Sequence, residues 1–283
     1  MSDNRAAKRT MRVLAWIAKY GFLLILIAIT LIPFLWALST SFKPPADILV
    51  PVPKVIPERW TLANYAKVLT SQGYGKYMLN SITVSVCSVA LTVITSLFAG
   101  YAASRYNFRG KNFIMFLILA GMAIGRFTNA MPLYFFSVKT GLFDTFWMLT
   151  LAYAAFNTPL VTWLMQSYFN TIPKTLEEAA LLDGCSRWMA FWRIVVPIMR
   201  PSILAGAIIA LTYSWNEFIL ALVLTKEMRT IPVSLYMYIT DMGVDWGSLT
   251  AASFLSMIPV LIVFFALQKY FLQGLTAGSL AGT

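Results

Sequence analysis

Long apolar runs without a charged side chain dominate this sequence of 283 residues. About 20 consecutive apolar residues are enough for a helix to cross the hydrocarbon core of a bilayer. Charged residues make up only 12% of the chain, whereas roughly 25% is usual in a soluble protein. The pattern therefore predicts an all-α membrane protein with six transmembrane helices, the third and fifth each containing one charged residue. The predicted spans are 20–42, 77–104, 113–136, 145–173, 201–224 and 246–268.

The distribution of Lys and Arg predicts the orientation of these helices. An even number of spans puts both termini on one side, and cytoplasmic segments are enriched in basic residues. With cytosolic termini, the inner segments carry 13 basic and 4 acidic residues, and the outer segments carry 8 and 6. This bias explains the net charge of +11, so membrane lipid is an expected partner and nucleic acid is not. We expect a cytosolic segment 1–19, a transmembrane domain 20–270, an external loop 43–76, a cytosolic loop 171–200 and a cytosolic tail 271–283.

The composition also excludes several kinds of catalytic and metal site. The chain has no histidine, which rules out a Ser-His-Asp triad and a histidine-based metal site. Its two cysteines, Cys87 and Cys185, are predicted to stay reduced and unpaired. No phosphate-binding Gly-x-x-x-x-Gly-Lys-Ser/Thr sequence occurs. We expect no catalytic residue, no metal or cofactor bound directly, and no enzymatic activity of this chain alone.

The predicted cytosolic loop contains the signals of a short helix. Thr175 and Glu178 have the spacing of a capping box, in which each side chain satisfies a backbone N–H at the helix start. Gly184 suits the left-handed residue that ends a helix. A helix of about two turns is marginal in water, so it needs a packing partner. Ala179 and Ala180 would let another surface approach closely. The predicted helix covers residues 176–183.

The same loop resembles a known motif. Glu178-Ala179-Ala180, then Gly184 and Ile194-Val195-Val196-Pro197, resemble the EAA loop of permease subunits of binding-protein-dependent ABC importers, with Val196 replacing the usual Leu. Five further stretches resemble the carbohydrate-uptake branch of this family, in particular its smaller, maltose-type permease. They are residues 41–44, 61–65, 215–218, 230–233 and 274–278.

The resemblance implies a fold, partners and a function. It implies the type I ABC importer permease fold in a bacterial cytoplasmic membrane, paired with a second, different permease and an extracytoplasmic solute-binding protein. It implies an ABC ATPase dimer in the cytosol that binds ATP and Mg²⁺. The expected solute is a sugar or oligosaccharide, neutral or acidic. Two alternatives remain. The solute could be of another kind, such as a phosphorylated polyol or an amino acid, or the chain could be a self-contained channel or secondary transporter. The implied ATPase-coupling residues are Glu177, Glu178, Ala179, Ala180, Asp183 and Gly184.

Arg126 and Glu217 are the charges inside the predicted spans. If the helices begin near residues 112 and 201, the two residues lie 14 and 16 positions in, at about 21 and 24 Å of helical rise. Two interpretations stay open: a buried ion pair that fixes two helices, or an Arg126 that hydrogen-bonds the carboxylate or phosphate of a solute. The candidate substrate path comprises Arg126, Asn129, Tyr153, Asn157, Asn216 and Glu217. The spacing of Gly121 and Gly125 predicts close helix packing in the third span.

Overall fold

The computed structural model describes the backbone of residues 3–52, 54–70 and 73–279, and side chains within 16–268 apart from the same gaps. The predicted N-terminal segment, external loop and C-terminal tail therefore lie partly outside the described residues. In these described ranges the chain forms a succession of helices and a two-stranded antiparallel hairpin. The α-helices are α1 (Asp3–Ser41), α2 (Ala63–Thr70), α3 (Tyr74–Arg105), α4 (Lys111–Ala120), α5 (Arg126–Thr140), α6 (Phe146–Thr171), α7 (Thr175–Leu182), α8 (Arg187–Ala190), α9 (Val196–Trp215), α10 (Ile219–Leu224), α11 (Ile231–Tyr236) and α12 (Trp246–Ser279). Strands β1 (Ile239–Thr240) and β2 (Gly243–Val244) precede α12, 3-10 turns cover Pro45–Asp47 and Gly121–Ala123, and a π-helical turn covers Phe191–Val195.

The predicted all-α membrane architecture is confirmed. Among the described residues, five helices are long and apolar enough to cross a membrane, and the bent pair α4–α5 makes a sixth if it counts as one span. The fifth predicted span is wrong in its bounds, because the long helix there ends before Glu217 and α10 is a separate helix. The five helices are Trp16–Ser41, Tyr74–Arg105, Phe146–Thr171, Arg187–Trp215 and Trp246–Gln268.

The predicted third span, 113–136, is divided between two helices and is not a single one. The chain bends by 94° between α4 and α5, with Ile124 in an extended conformation and Gly125 preceding the first residue of α5. In the described part of this chain no helix packs closely on Gly121 or Gly125, since a Cβ on either would meet nothing within 4 Å. Glycine disfavours a helix interior, and here the two glycines flank the break.

The chain divides into two compact units. The first unit comprises Met1–Ser71 and Tyr238–Leu255. In it, the buried amide of Asn64 in α2 donates hydrogen bonds to the carbonyl oxygens of Ser41 (2.9 Å) and Lys43 (2.8 Å). Gly247 leaves room for this amide, because a Cβ there would lie 2.6 Å from the Asn64 side-chain oxygen. These bonds fix α2 against the end of α1.

The second unit comprises Gln72–Met237 and Ser256–Thr283 and contains the packing of α3, α6 and α9. One face of α3 is buried and consists of small residues at intervals of three or four positions. Small residues let transmembrane helices approach closely, and Gly100 shows the extreme case, since a Cβ there would lie 2.7 Å from the Met165 Cβ. The face includes Ser81, Ser85, Ser88, Thr92, Ser96, Gly100 and Ser104.

Asp144 joins the corner between α5 and α6 to the loop after α10. It has a positive φ of 60°, and its backbone N–H donates to the Leu224 carbonyl (3.0 Å). Its carboxylate accepts the backbone N–H groups of Lys226 (2.8 Å), Glu227 (3.0 Å) and Met228 (2.9 Å). Burial raises the pKa of this carboxyl group, but the three N–H donors outweigh burial and lower the pKa below its ordinary value.

We predict that Asp144→Asn destabilises the protein at neutral pH. Asparagine tolerates the positive φ, so the change mainly removes charge-assisted hydrogen bonds, which contribute about 1.5–3 kcal/mol each. Because the native pKa is lowered, the contribution of the charge is complete above the unfolded value of about 3.9. It is lost as the pH falls through the native pKa. Thermal unfolding in detergent should show a wild-type advantage that shrinks in acid, with exposed Asp241→Asn as the control; a difference that is unchanged in acid would contradict this assignment.

Candidate functional site

The loop between α6 and α9 contains the predicted short helix, α7. A Schellman motif ends it: Gly184 has a φ of 85°, its N–H donates to the Leu181 carbonyl (3.1 Å), and the Cys185 N–H donates to the Ala180 carbonyl (3.0 Å). The prediction that Gly184 ends this helix in the left-handed conformation is confirmed.

The predicted capping box at the start of α7 is wrong. The residue before the helix is Lys174, which is itself helical and makes no side-chain cap. The N–H of Leu176 donates to the Pro173 carbonyl (3.3 Å), and the N–H groups of Glu177 and Glu178 donate to the Lys174 carbonyl (3.0 Å each). The N–H groups that the Thr175 hydroxyl could have accepted are therefore already bonded to backbone carbonyls.

Glu177 fixes α7 to the end of α3. Its carboxylate accepts from the Arg105 Nε (2.5 Å) and the Tyr101 hydroxyl (2.6 Å). The remaining guanidinium nitrogens of Arg105 donate to the carbonyls of Phe169 (2.9 Å) and Ile172 (3.1 Å), at the end of α6. The side chains of Arg105 and Glu177 are only 7% and 14% exposed, so the ion pair is largely shielded from solvent. Arg105 thus joins three helices.

Sequence reasoning missed the roles of Arg105 and Tyr101. Arg105 counted only toward the charge bias of the cytosolic segments, and Tyr101 lies inside an apolar run. The available signal was the group of acids in a loop where bases are expected, because a partly buried acid requires a basic partner.

The opposite face of α7 is exposed. Leu182 is 89% exposed and Leu176 43%, and Glu178, Ala179, Asp183 and Gly184 are also exposed. Ala180, in contrast, is buried against its own chain. The prediction that both alanines offer a low surface to a partner is therefore wrong for Ala180, and the free face combines apolar and acidic groups.

Aromatic rings adjoin this loop. Phe98 of α3 stacks on Trp188 (ring centroids 6.0 Å apart) and Phe191 (5.7 Å), and Trp192 meets Phe191 edge to face (5.2 Å). Trp188 is 63% exposed. The stacked rings hold the start of the helix 187–215 against α3. Large exposed aromatic side chains are typical of a membrane interface.

We predict that Arg105→Gln increases the local opening of α7. The change removes the ion pair to Glu177, and charge-assisted bonds of this kind contribute about 1.5–3 kcal/mol. Hydrogen exchange of the amides of residues 176–182 should accelerate about tenfold or more, with the interior of α6 unaffected. The matched control is Arg109→Gln, since Arg109 is exposed; equal exchange in both variants would show that other contacts hold α7.

Arg126 lies at the first position of α5, beside an open cavity of about 250 Å³. One guanidinium nitrogen donates to the Asn157 side-chain oxygen (2.9 Å). The guanidinium carbon lies 5.3 Å from the ring centroid of Tyr213 and 5.9 Å from that of Phe156. The Asn157 amide nitrogen donates to the Ser214 hydroxyl (2.9 Å). The cavity is lined by Met122, Ile124, Gly125, Arg126, Phe156, Asn157, Leu160, Val161, Ile209, Ala210 and Tyr213.

Glu217 is 5% exposed and lies two residues before α10. Its two carboxylate oxygens accept the backbone N–H groups of Leu220 (3.0 Å) and Ala221 (3.1 Å). Within the described part of the chain, none of the ion pairs includes Arg126 or Glu217. The interpretation of an Arg126–Glu217 ion pair is therefore wrong. The first N–H groups of α10 have no intrahelical acceptors, and they donate to the Glu217 carboxylate instead.

The other predicted path residues are not among those that line the cavity. Tyr153 is 2% exposed and belongs to the apolar cluster around α10. Asn129 donates to the Gly125 carbonyl (3.2 Å) at the start of α5, and Asn216 to the Thr212 carbonyl (2.9 Å) at the end of α9. Of the six predicted residues, the structure brings Arg126 and Asn157 together at the cavity. Phe156 is a lining residue that sequence reasoning missed, because apolar aromatics are common throughout the spans.

We predict that Arg126→Gln and Glu217→Gln act independently. Each variant disturbs a different set of bonds, so the coupling energy in a double-mutant cycle should be within about 0.5 kcal/mol. Thermal unfolding of both single variants, the double variant and the wild type measures it. A double variant that is restored toward wild-type stability would mean that the two charges pair.

Comparison with known proteins agrees with this architecture. The model of the family "Binding-protein-dependent transport system inner membrane component" matches residues 93–277. The probable ABC transporter permease YurM of Bacillus subtilis is 36% identical over 88% of this chain and 83% of that protein. The diacetylchitobiose uptake permease NgcG of Streptomyces coelicolor is 33% identical over 97% and 92%.

A solved structure gives the same result. A chain of a bacterial ABC transporter involved in the import of the acidic polysaccharide alginate superposes with a TM-score of 0.79 at 26% identity, covering 93% of this chain and 98% of that one. The resemblance carried by the EAA-like loop is confirmed over most of the sequence. The chain therefore belongs to the family of inner membrane components of binding-protein-dependent transport systems, as a permease subunit of the ABC importer type.

Proposed function

We propose that this chain forms half of the translocation path of an ATP-driven importer for an oligosaccharide or a related sugar. Relatives are named for the uptake of diacetylchitobiose and the import of alginate, which supports a saccharide as the solute. The termini and the loop between α6 and α9 are cytosolic in this proposal, as the Lys and Arg bias predicts. The membrane is the bacterial cytoplasmic membrane.

The attachment of α7 to two transmembrane helices carries the proposal. An eight-residue helix is too short to be stable alone, and Arg105 holds it to the ends of α3 and α6 through Glu177, Phe169 and Ile172. A helix fixed in this way moves with the spans as a rigid body. When a partner bound to the free face of α7 changes position, α3 and α6 therefore move with it.

The free face of α7 suits an ATPase subunit. Leu182 and Leu176 supply apolar contact area, while Glu178 and Asp183 supply negative charge at the rim. Gly184 ends the helix so that the chain turns back at once. The family resemblance implies six coupling residues. Two of them, Glu177 and Ala180, hold α7 to the rest of this chain. The other four face the partner, namely Glu178, Ala179, Asp183 and Gly184.

The remaining partners follow from the same proposal. ATP and Mg²⁺ bind on a dimer of ATPase subunits, so this chain needs no cofactor of its own. In the window that defines the first span, none of the residues is buried within this chain, so lipid and a second, different permease cover α1. A solute-binding protein delivers the sugar from the external side.

We predict that Leu182→Glu prevents the ATPase from co-purifying with the permease. The substitution puts a charge at the centre of the apolar face, and desolvating an unpaired charge at an interface opposes binding. Glu178→Lys and Gly184→Asp should have the same effect, by reversing a rim charge and by straining a φ of 85°. Uptake of the labelled saccharide should fall with ATPase recovery, while expression and detergent elution stay as in the wild type.

The control is Leu62→Glu, which changes a leucine that is 66% exposed and precedes α2. It should keep both ATPase association and transport. Retention of the ATPase and of uptake in all three α7 variants would refute the docking role of this helix, as would accessibility of residues 175–184 from the exterior.

A further inference from the structure

The cavity beside α5 combines one cationic side chain, Arg126, with aromatic and apolar lining residues. We propose that it recognises the oxyanion of an acidic saccharide, a carboxylate or a sulfonate, and that Arg126 binds that group. This inference rests on the proposed function and narrows the solute from saccharides in general to the acidic class.

The positive charge of Arg126 is not neutralised by an acid in the described part of the chain. Glu217, its predicted partner, is committed to the N–H groups of Leu220 and Ala221. Arg126 is also the first residue of a 15-residue helix, whose dipole adds positive potential at that end. An ionisable residue in an apolar span is costly and serves a function when no structural partner compensates it. An incoming anion would supply the missing charge.

The guanidinium is held in a defined orientation. Asn157 accepts one of its N–H groups, and Asn157 is fixed in turn by its bonds to Ser214 (2.9 Å) and to the Ala210 carbonyl (3.4 Å). The rings of Phe156 and Tyr213 lie over the guanidinium. Arginine has five N–H donors in one plane, and covering its faces leaves the edges for two parallel bonds to an oxyanion.

The backbone and the size of the cavity agree with a ligand. Ile124 and Gly125, at the break between α4 and α5, line it, and irregular backbone inside a span is tolerated where it borders protein or a cavity. Its volume of about 250 Å³ lies just below the ~300–1,000 Å³ of pockets for drug-sized ligands. The cavity therefore takes one sugar unit at a time.

Saturation-transfer NMR on the permease complex in nanodiscs, without the solute-binding protein, tests this site. The probes are methyl glucuronide, methyl 6-deoxy-6-sulfo-glucoside, neutral methyl glucoside and the methyl ester of methyl glucuronide. We expect the wild type to bind one or both acids and to bind the neutral sugar and the ester about tenfold more weakly. The comparison of carboxylate with sulfonate shows which oxyanion the cavity prefers.

Arg126→Gln should abolish the preference for the acids, whereas Arg126→Lys should keep part of it, because lysine retains the charge but not the planar fork. The matched control, Arg109→Gln, should retain the full preference for the acids.

Three results would overturn the inference: equal binding of acid and ester by the wild type, a preference that survives Arg126→Gln, or no binding of either acid. The ester arm needs no variant, so it decides even if Arg126→Gln fails to fold. A complex that retains its ATPase and shows no acid preference would refute this inference alone, whereas loss of the ATPase partner in the wild type would refute the proposed function.

Discussion

The contacts of Arg105 determine how the loop between α6 and α9 is held. The last carbonyl groups of a helix have no intrahelical partners, and Arg105 satisfies those of Phe169 and Ile172 while pairing with Glu177. One cation therefore completes the end of α6, neutralises a partly buried acid and fixes a helix that is too short to be stable alone. Without it, α7 would keep the Tyr101 hydrogen bond to Glu177 but would lose the ion pair that neutralises this carboxylate and links the helix to the end of α6.

The two charged residues within the predicted spans both lie where a helix is broken, and the chain uses them differently. The carboxylate of Glu217 is satisfied within the protein, because it accepts hydrogen bonds from the first turn of the short helix α10. Arg126 begins α5 and keeps most of its donors free of the described residues, with Asn157 and two aromatic rings setting its orientation. A buried charge is stable only when something compensates it. In one case the compensation is internal, and in the other it is left to water or to a ligand.

The fold was largely predictable because its signals are local. Runs of about 20 apolar residues specify spans wherever they occur in a chain, and Gly184 specifies the end of α7 because glycine adopts a positive φ readily. The capping box failed because the backbone of Pro173 and Lys174 already supplies the acceptors. A spacing of residues shows that a cap is available, but only the structure shows whether another acceptor has taken its place.

Local patterns along the chain are enough to predict a helical membrane protein, the position of most spans, and a short helix of the EAA type within residues 175–184. Each of these properties depends on neighbours in the sequence. Three features depend on packing in three dimensions: Arg105 holds this helix, a 94° bend separates α4 from α5, and Arg126 contacts Asn157 rather than Glu217. A rise of 1.5 Å per residue gives the depth of Arg126 or Glu217 only along a straight helix. A single break redirects every residue after it, so the partners of a charged side chain depend on packing between distant segments.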